Sequence, residues 1–402
     1  MVLKNVSTGS FWFLYIFPVA IFFILSSLWV YSYVNNTEQL LLKNNLEKSL
    51  STFKFHTQRI ESMAQFLQTD SSLKKELINL SAAVDRLDKR LTTQELEVLR
   101  ESYQQALPAL KGHKSTFNDW TKNDDLSRKM QYLYIAQNPY NIGKKDLLQN
   151  ALDGSPYSQI HETVHASLNE VNNLFEFYDV LFIRKSDMRI IYSAEKEIDF
   201  GNVLKSGVYA QSPLGRVAHT VFDSPENGDI MFKPLLEHMP TQNNIHSFVS
   251  IPMYYEGELI GMLALQVSVA HYMSAFNEAM PADEENICWV SVDGLESGCK
   301  RYEENTNAKT LTQLKAFALA TTEGEGTVVG RWTNGVNSML SFSRFSVGGK
   351  DYVAIIQKRT KSMWREFVEF IAMSFIALSV AIITGLCLRS LIRPPEEKFT
   401  SI

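Results

Sequence analysis

FYDVLFIRKSDMRIIYS, residues 177–193, is the run from which the fold can be read. FYDVLFI is rich in aromatic and β-branched residues, KSDM reads as a turn, and RIIYS as the returning strand. Beyond it, a Gly-, Pro- and Asn-rich stretch extends through Asn244, and then SFVSIPMYY (247–255) and LIGMLALQVS (259–268) flank Glu256-Gly257-Glu258, a second hairpin. The same order returns further on. ICWVSV (287–292), the Asp293-Gly294 turn and a short return match the first pair. MLSFSRFSV (339–347) and DYVAIIQK (351–358), around Gly348-Gly349-Lys350, match the second. Two loose copies of one pattern predict two related antiparallel α+β subdomains. HYMSAFNEAM, 271–280, is predicted as a helix joining them.

Upstream, Leu42, Leu46, Leu50, Phe53, Ile60, Ala64 and Leu67 recur at spacings of three or four, with Thr57 filling the one gap. This is the seam of a long amphipathic helix. The seam suits a rod that pairs with a second copy, and equally a helix buried against its own domain. Residues 71–130 read as mostly helical.

The ends of the chain are apolar. Phe11 to Val34 carries no charge, and a second uncharged run extends from Phe370 to Leu388. Each is long enough to cross about 30 Å of hydrocarbon as a helix. Trp12, Trp29, Tyr31, Tyr33 and Trp364 suit the two membrane–water interfaces. The first run exceeds a signal-peptide core and lacks a small-residue cleavage site, so an uncleaved anchor is expected. Arg389 and Arg393 after the second run place the C-terminus in the cytoplasm. Two spans place the N-terminus, with Lys4, there too. The central region then lies outside, in a bacterial periplasm or cell exterior, on a multi-pass protein of the inner (cell) membrane.

The net charge of −5 and the lack of a basic run argue against a nucleic-acid partner. The hydrophobic share of 45% and charged share of 21% are those of a folded chain. Cys387 falls within the second apolar run. Cys288 and Cys299 flank the Asp293-Gly294 turn as opposed residues. Counting from the turn places them at a hydrogen-bonded position, where roughly 5.5 Å between Cα atoms suits a bridge less well than the closer alternate pairs. A disulfide and two buried thiols are both open.

His161-Glu162-Thr163-Val164-His165 fits H-E-x-x-H, which on a helix sets two imidazoles one turn apart with the glutamate as base. A third zinc ligand is missing at the usual spacings, and no nucleophile elbow, phosphate loop or dinucleotide fingerprint is present. Neither an enzyme nor a cofactor is expected.

A long helix leaving the membrane, two PAS-like β units in tandem and a second span resemble the double-Cache sensor regions of bacterial chemoreceptors, histidine kinases and cyclases. Local wording resembles them too. YIAQNPYNIGKKDLL (134–148), DGSPYSQIHETVH (153–165) and IIYSAEKEIDFGNVLKSGVYAQSPLG (190–215) are similar to the membrane-distal unit, and SFVSIPMYYEGELIGMLALQ to its closing strands. The resemblance covers roughly 35–365. It implies this order: transmembrane helix 11–34, long periplasmic helix 35–70, distal Cache subdomain with a helical portion 71–275, proximal Cache-like subdomain 280–362, transmembrane helix 368–388, and a cytoplasmic tail 389–402 resembling a truncated HAMP start. It implies a pocket for a small extracellular molecule in the distal unit, with the long helix passing the response inward. The amino-acid-binding signature of some such receptors is not visible, so amino acids are not implied.

Polar and aromatic groups around the distal strands are the ligand-binding candidates: Tyr178, Asp179, Tyr192, Glu197, Asp199, Tyr209, His246, Ser247 and Ser250. Carboxylates among them favour a cationic or hydroxylated ligand. The expected function is the extracytoplasmic sensing module of a transmembrane signal transducer with no output domain on this chain. Its expected partners are a small-molecule ligand, the lipid bilayer, a second copy of itself, and a cytoplasmic or membrane signalling protein. The alternative is a membrane-anchored envelope protein that regulates a separate partner by contact.

Overall fold

The computed structural model describes residues 17–106, 124–141, 143–223, 229–238, 244–268, 285–295, 297–299, 306–347, 349–359 and parts of 368–383. The predicted joining helix 271–280, Cys387, the tail 389–402 and much of the two apolar runs lie outside the described residues. Among the described residues, no helix is long and apolar enough to cross a membrane.

Helix α1 spans Phe17–Thr69 without a break. Leu42, Leu46, Leu50, Phe53, Ile60, Ala64 and Leu67 are all buried in the core, and Thr57 with them. Burying each large aliphatic side chain contributes about 1.5–3 kcal/mol, so the stripe ties the C-terminal half of the helix to its own domain. The helices α2 (Ser71–Asp85), α3 (Thr93–Ala106) and α4 (Asp125–Gln131) follow, and α5 (Pro156–Leu174) comes before the first sheet. Their starts are legible in sequence. Asp70 accepts from the backbone N–H of Ser72 and Leu73, and Thr92 and Glu95 cap each other. Ser155 caps α5 ahead of Pro156.

The first sheet contains β1 (Asp179–Arg184), β2 (Ile190–Ser193), β3 (Met231–His238), β4 (Asn244–Tyr255) and β5 (Glu258–Ser268), ordered β2-β1-β5-β4-β3. The second contains β6 (Glu285–Ser291), β7 (Ser297–Cys299), β8 (Glu325–Arg331), β9 (Asn337–Val347) and β10 (Lys350–Arg359), ordered β7-β6-β10-β9-β8. Numbered within its own unit, each sheet reads 2-1-5-4-3, and every pairing is antiparallel. The protein is α+β with the same sheet built twice. Short helices, α6 (Pro213–Asp223) in the first unit and α7 (Ala308–Thr312) with α8 (Lys315–Glu323) in the second, fill the matching long connection.

Sequence reasoning missed β3, β8 and these helices. Pro234 interrupts the β3 pattern, and the β3–β4 register shifts between Lys233 and Leu236, where a proline is tolerated. Gly326 and Gly330 dilute the β8 signal. The ring of Phe342, opposite Gly326, would lie 2.8 Å from a Cβ there, so the glycine makes room for it.

Helix α1 runs past both sheets. In the second unit the Phe53 and Phe345 rings meet edge to face at 5.6 Å, Lys43 pairs with Glu325 at 3.0 Å, and Lys358 pairs with Glu38. In the first, Gln68 donates to the Pro252 carbonyl at 3.2 Å. Cys288 and Cys299 are opposed and joined by a disulfide, with Cα atoms 4.1 Å apart. The opposition counted from the turn holds, but the spacing belongs to the close, non-hydrogen-bonded kind of pair and not to the hydrogen-bonded kind expected.

Candidate functional site

Strand alternation divides the first sheet into two faces. Asp179 opposes Gln266, and Gln266 opposes Phe248; Leu181 opposes Ser193 and Ala264, and Ala264 opposes Ser250. Opposed residues share a face, and side chains alternate along a strand. Asp179, Ser193, Gln266, His246 and Ser250 therefore lie on one face. Tyr192, opposite Phe182, and Ser247, opposite Val267, lie on the other. The nine residues expected to line one pocket do not share a face. A reading without register could not separate them.

The face carrying Tyr192 meets the helices. Arg184, also on it, donates to the Ser81 carbonyl and to Asp85 in α2. His165 of α5 sits 3.1 Å from the Tyr192 hydroxyl, and its Nε2 lies 2.6 Å from the Asp146 carbonyl. His161 directs Nδ1 to the Gln149 carbonyl at 2.7 Å, within an enclosure of Tyr134, Tyr157, Tyr192 and His165 rings. A π-helical turn, Tyr132–Ala136, places Tyr134 in this group. Burial, with the Lys196 ammonium nearby, holds His161 well below the usual imidazole range and His165 down to about 3. Glu162 is exposed and accepts from Asn150. The base and the two imidazoles of the H-E-x-x-H motif thus point apart. Among the described residues, no group of three or more metal-ligating side chains is disposed to hold a metal.

On the opposite face, Asp179 is fully buried and closes the turn after β2. The Ser193 hydroxyl donates to Oδ2 at 2.7 Å, and the Ala194 and Glu195 N–H groups donate to Oδ1 at 2.8 and 3.1 Å. Lys196, in the left-handed region at φ 53°, buries its side chain and gives Nζ to the Ala194 carbonyl at 2.8 Å. The Tyr178 hydroxyl donates to Glu197 at 2.6 Å, and its ring meets His246 edge to face at 4.5 Å. Asp199 is buried beside them. Tyr209 lies near Asp199, and its hydroxyl donates to the Ile198 carbonyl at 3.0 Å; Tyr103, Gln131 and Asn202 donate to the same carbonyl, and together they anchor the 197–202 loop. Ser250 donates to the Met231 carbonyl.

Burial and crowding shift Asp179, Glu195, Glu197 and the lysines beside them. Burial, then the Glu195 charge, pushes Asp179 up to about 8 against its three donors. Burial raises Glu195 to about 7 and Glu197 well above the carboxylate range, and lowers Lys196 to about 7. Burial also lowers Lys145, which feels Glu197 and Glu195. Glu195, Lys196, Lys145 and Gln266 were missed in sequence. Gln266 carried a signal, a lone polar residue within the apolar strand LIGMLALQV. The AEKE run 194–197 gave none beyond charge.

Solved sensor domains are among the structures to which this chain is similar at low scores. The extracellular ligand binding receptor from Desulfohalobium retbaense is 14% identical over 67% of this chain, with a TM-score of 0.35; this chain spans 41% of its length. The sensor domain of the V. cholerae histidine kinase DctB is 10% identical, with 65% of this chain and 98% of that one covered and a TM-score of 0.32. The periplasmic sensory domain of the Campylobacter jejuni chemoreceptor Tlp1 is 12% identical, with 67% and 95% covered and a TM-score of 0.36. At these scores the likeness assigns no ligand and no residue role. No family model and no curated relative matches the chain.

Proposed function

We propose that this chain is the extracytoplasmic sensing module of a bacterial transmembrane signal transducer. It binds a small molecule in its first sheet unit and passes the event to the cytoplasm through α1 and the apolar run 370–388. One contrast carries the reading. The same sheet occurs twice, and the face turned away from α1 differs between the copies. In the second unit it is packed with Cys288, Val290, Leu340, Phe342, Val353 and Ile355 beneath Ala316 and Ala320 of α8. In the first unit the matching face carries Asp179, Ser193, Gln266, His246 and Ser250, with Tyr178 and Glu197 bonded beside it. Polar and ionisable groups cost stability when buried without need. The second face also buries Asn286, Ser338 and Gln357, but among the described residues the buried carboxyl and imidazole groups, Asp179 and His246, belong to the first, and that difference supports a binding face there.

Anchoring in the bilayer is supported by exposed apolar side chains where α1 leaves its core: Phe22, Ile24, Leu25, Leu28 and Trp29 are each at least 60% exposed. Met373, Phe375, Ile376, Val380 and Ile383 repeat this at the other end. Side chains of this kind on an isolated helix suit lipid. A disulfide in the second unit suits an oxidising compartment. The chain acts by binding rather than catalysis, pairs with a second copy of itself, and delivers its output through a cytoplasmic or membrane partner.

The test is a small-molecule thermal-shift screen on the full chain in detergent, alongside reporter fusions near residue 200 in cells. A saturable upward shift, and reporter activity confined to the periplasmic side, are expected. A cytosolic reporter signal would remove the topology on which the reading stands.

A further inference from the structure

The polar face of the first sheet also indicates the chemistry of its ligand, an assignment that rests on the sensing role proposed for this unit. Four carboxyl groups, Asp179, Glu195, Glu197 and Asp199, come from one short stretch and the strand beside it, close enough that their charges raise the proton affinity of Asp179 and Glu197. Asp146 of the 137–155 segment adds to the negative charge at Glu195. Lys196 and Lys145 are the cations that feel this group. Lys196 directs its ammonium to the Ala194 carbonyl, and among the described residues neither Glu195 nor Glu197 forms an ion pair. Carboxyl groups therefore outnumber ammonium groups in a buried place, where an uncompensated carboxylate is costly and burial keeps Asp179 and Glu197 protonated until a cation stands beside them.

A second observation, independent of the acids, points to an occupant. Gln266 is 1% exposed, lies beside Asp179 on the same face, and its Nε2 has no hydrogen-bond partner. A buried amide N–H left unmade costs about 1–3 kcal/mol. Such a group is retained where something else accepts from it.

We infer that the first unit binds a small organic cation, an ammonium compound held by Glu195 and Glu197, whose adjacent uncharged oxygen or nitrogen accepts from Gln266. A ligand bearing a free carboxylate meets the surplus of acids and is rejected. Tyr178 and His246, ring to ring at 4.5 Å, flank the position of the cation and add an aromatic wall to it.

The experiment uses the full chain in detergent with ethanolamine, choline and putrescine, against ethylene glycol and glycolate as neutral and anionic counterparts. Thermal shift and calorimetry are read for the unaltered chain and for Glu197→Gln, Glu195→Gln and Gln266→Ala. The expected result is saturable stabilisation by at least one amine and none by its counterparts. Affinity should fall at least tenfold in either Glu→Gln variant, and less in Gln266→Ala. The half-buried Glu195 gives a variant that folds even if Glu197→Gln does not. Binding of the neutral or anionic compounds instead overturns the cation assignment and leaves the sensing role standing. Failure of these and of every compound in the wider screen overturns both.

Discussion

His165 and Tyr192 are joined across two layers of the protein: Nδ1 of the helix residue lies 3.1 Å from the strand residue's hydroxyl. The other nitrogen, Nε2, lies 2.6 Å from the Asp146 carbonyl, which can only accept. Nε2 therefore carries the proton, and Nδ1 accepts from the tyrosine. One imidazole ties α5, β2 and the 137–155 segment together, on the face opposite the proposed ligand.

Removing that hydroxyl should therefore affect stability and not recognition. Tyr192→Phe leaves a buried imidazole acceptor unsatisfied, which costs about 1–3 kcal/mol. Urea unfolding should show the loss while ligand affinity, measured on the same preparation, stays within about twofold. A large loss of affinity with unchanged stability would return Tyr192 to the ligand site.

Asp179 should behave as the keystone of the turn after β2. Its side chain accepts from Ser193, Ala194 and Glu195. Asp179→Ala leaves the Ser193 hydroxyl and the half-buried Glu195 N–H without their acceptor, while the Ala194 N–H keeps the Val180 carbonyl, and is expected to destabilise the chain by about 1–3 kcal/mol. Asp179→Asn keeps one acceptor oxygen and should cost less. Equal stability of both variants and the unaltered chain would show that the turn is held by something else.

The ligand-free protein should lose stability as the pH rises from about 5 to about 7. Burial lifts Asp179 to about 8 and Glu195 to about 7, so the folded chain keeps protons that the unfolded chain has already released. Stability from these groups is full below their unfolded values near pH 4 and drains away up to about pH 8. Glu197, raised by burial, acts in the same direction. Lys196, lowered to about 7, works the other way only above about pH 7, and the buried His161 and His165, held below the usual imidazole range, work the other way up to their unfolded value near 6.5, so that three raised carboxyls are set against two imidazoles over this interval. The unfolding midpoint should thus be higher at about pH 5 than at about pH 7, and this slope should flatten in a chain carrying both Asp179→Asn and Glu195→Gln. A midpoint that rises over this interval contradicts the assignment.

The disulfide makes a separate forecast about the second unit. Cys288 and Cys299 close a short loop, eleven residues apart in sequence, inside an apolar cluster with Val290, Leu340 and Ile355. A bridge of this span contributes about 2–3 kcal/mol in the chain-entropy view. Alkylation of the unreduced, unfolded chain should leave both cysteines unmodified. The Cys288→Ser/Cys299→Ser chain should unfold at a lower temperature while keeping its ligand affinity, because the site lies in the other unit.

Much of the architecture is written locally in the chain. The seam from Leu42 to Leu67 follows the helical period, the hairpins around Glu256-Gly257 and Asp293-Gly294 follow alternation and turn chemistry, and the repeated order of strands announced a duplicated sheet. These signals reside in neighbours along the chain. The folded molecule alone settles that the Leu42–Leu67 seam packs on its own sheets, that β3 and β8 complete them despite Pro234 and the β8 glycines, and that Cys288 faces Cys299 in the close kind of pair. It likewise settles which polar residues meet. Alternation says that Tyr192 and Ser193 point to opposite sides, but not which side faces the helices; that depends on where α2 and α5 come to rest. Register and layer packing depend on contacts between residues far apart in sequence, and for that reason Tyr192 went to His165 while Gln266 came to Asp179.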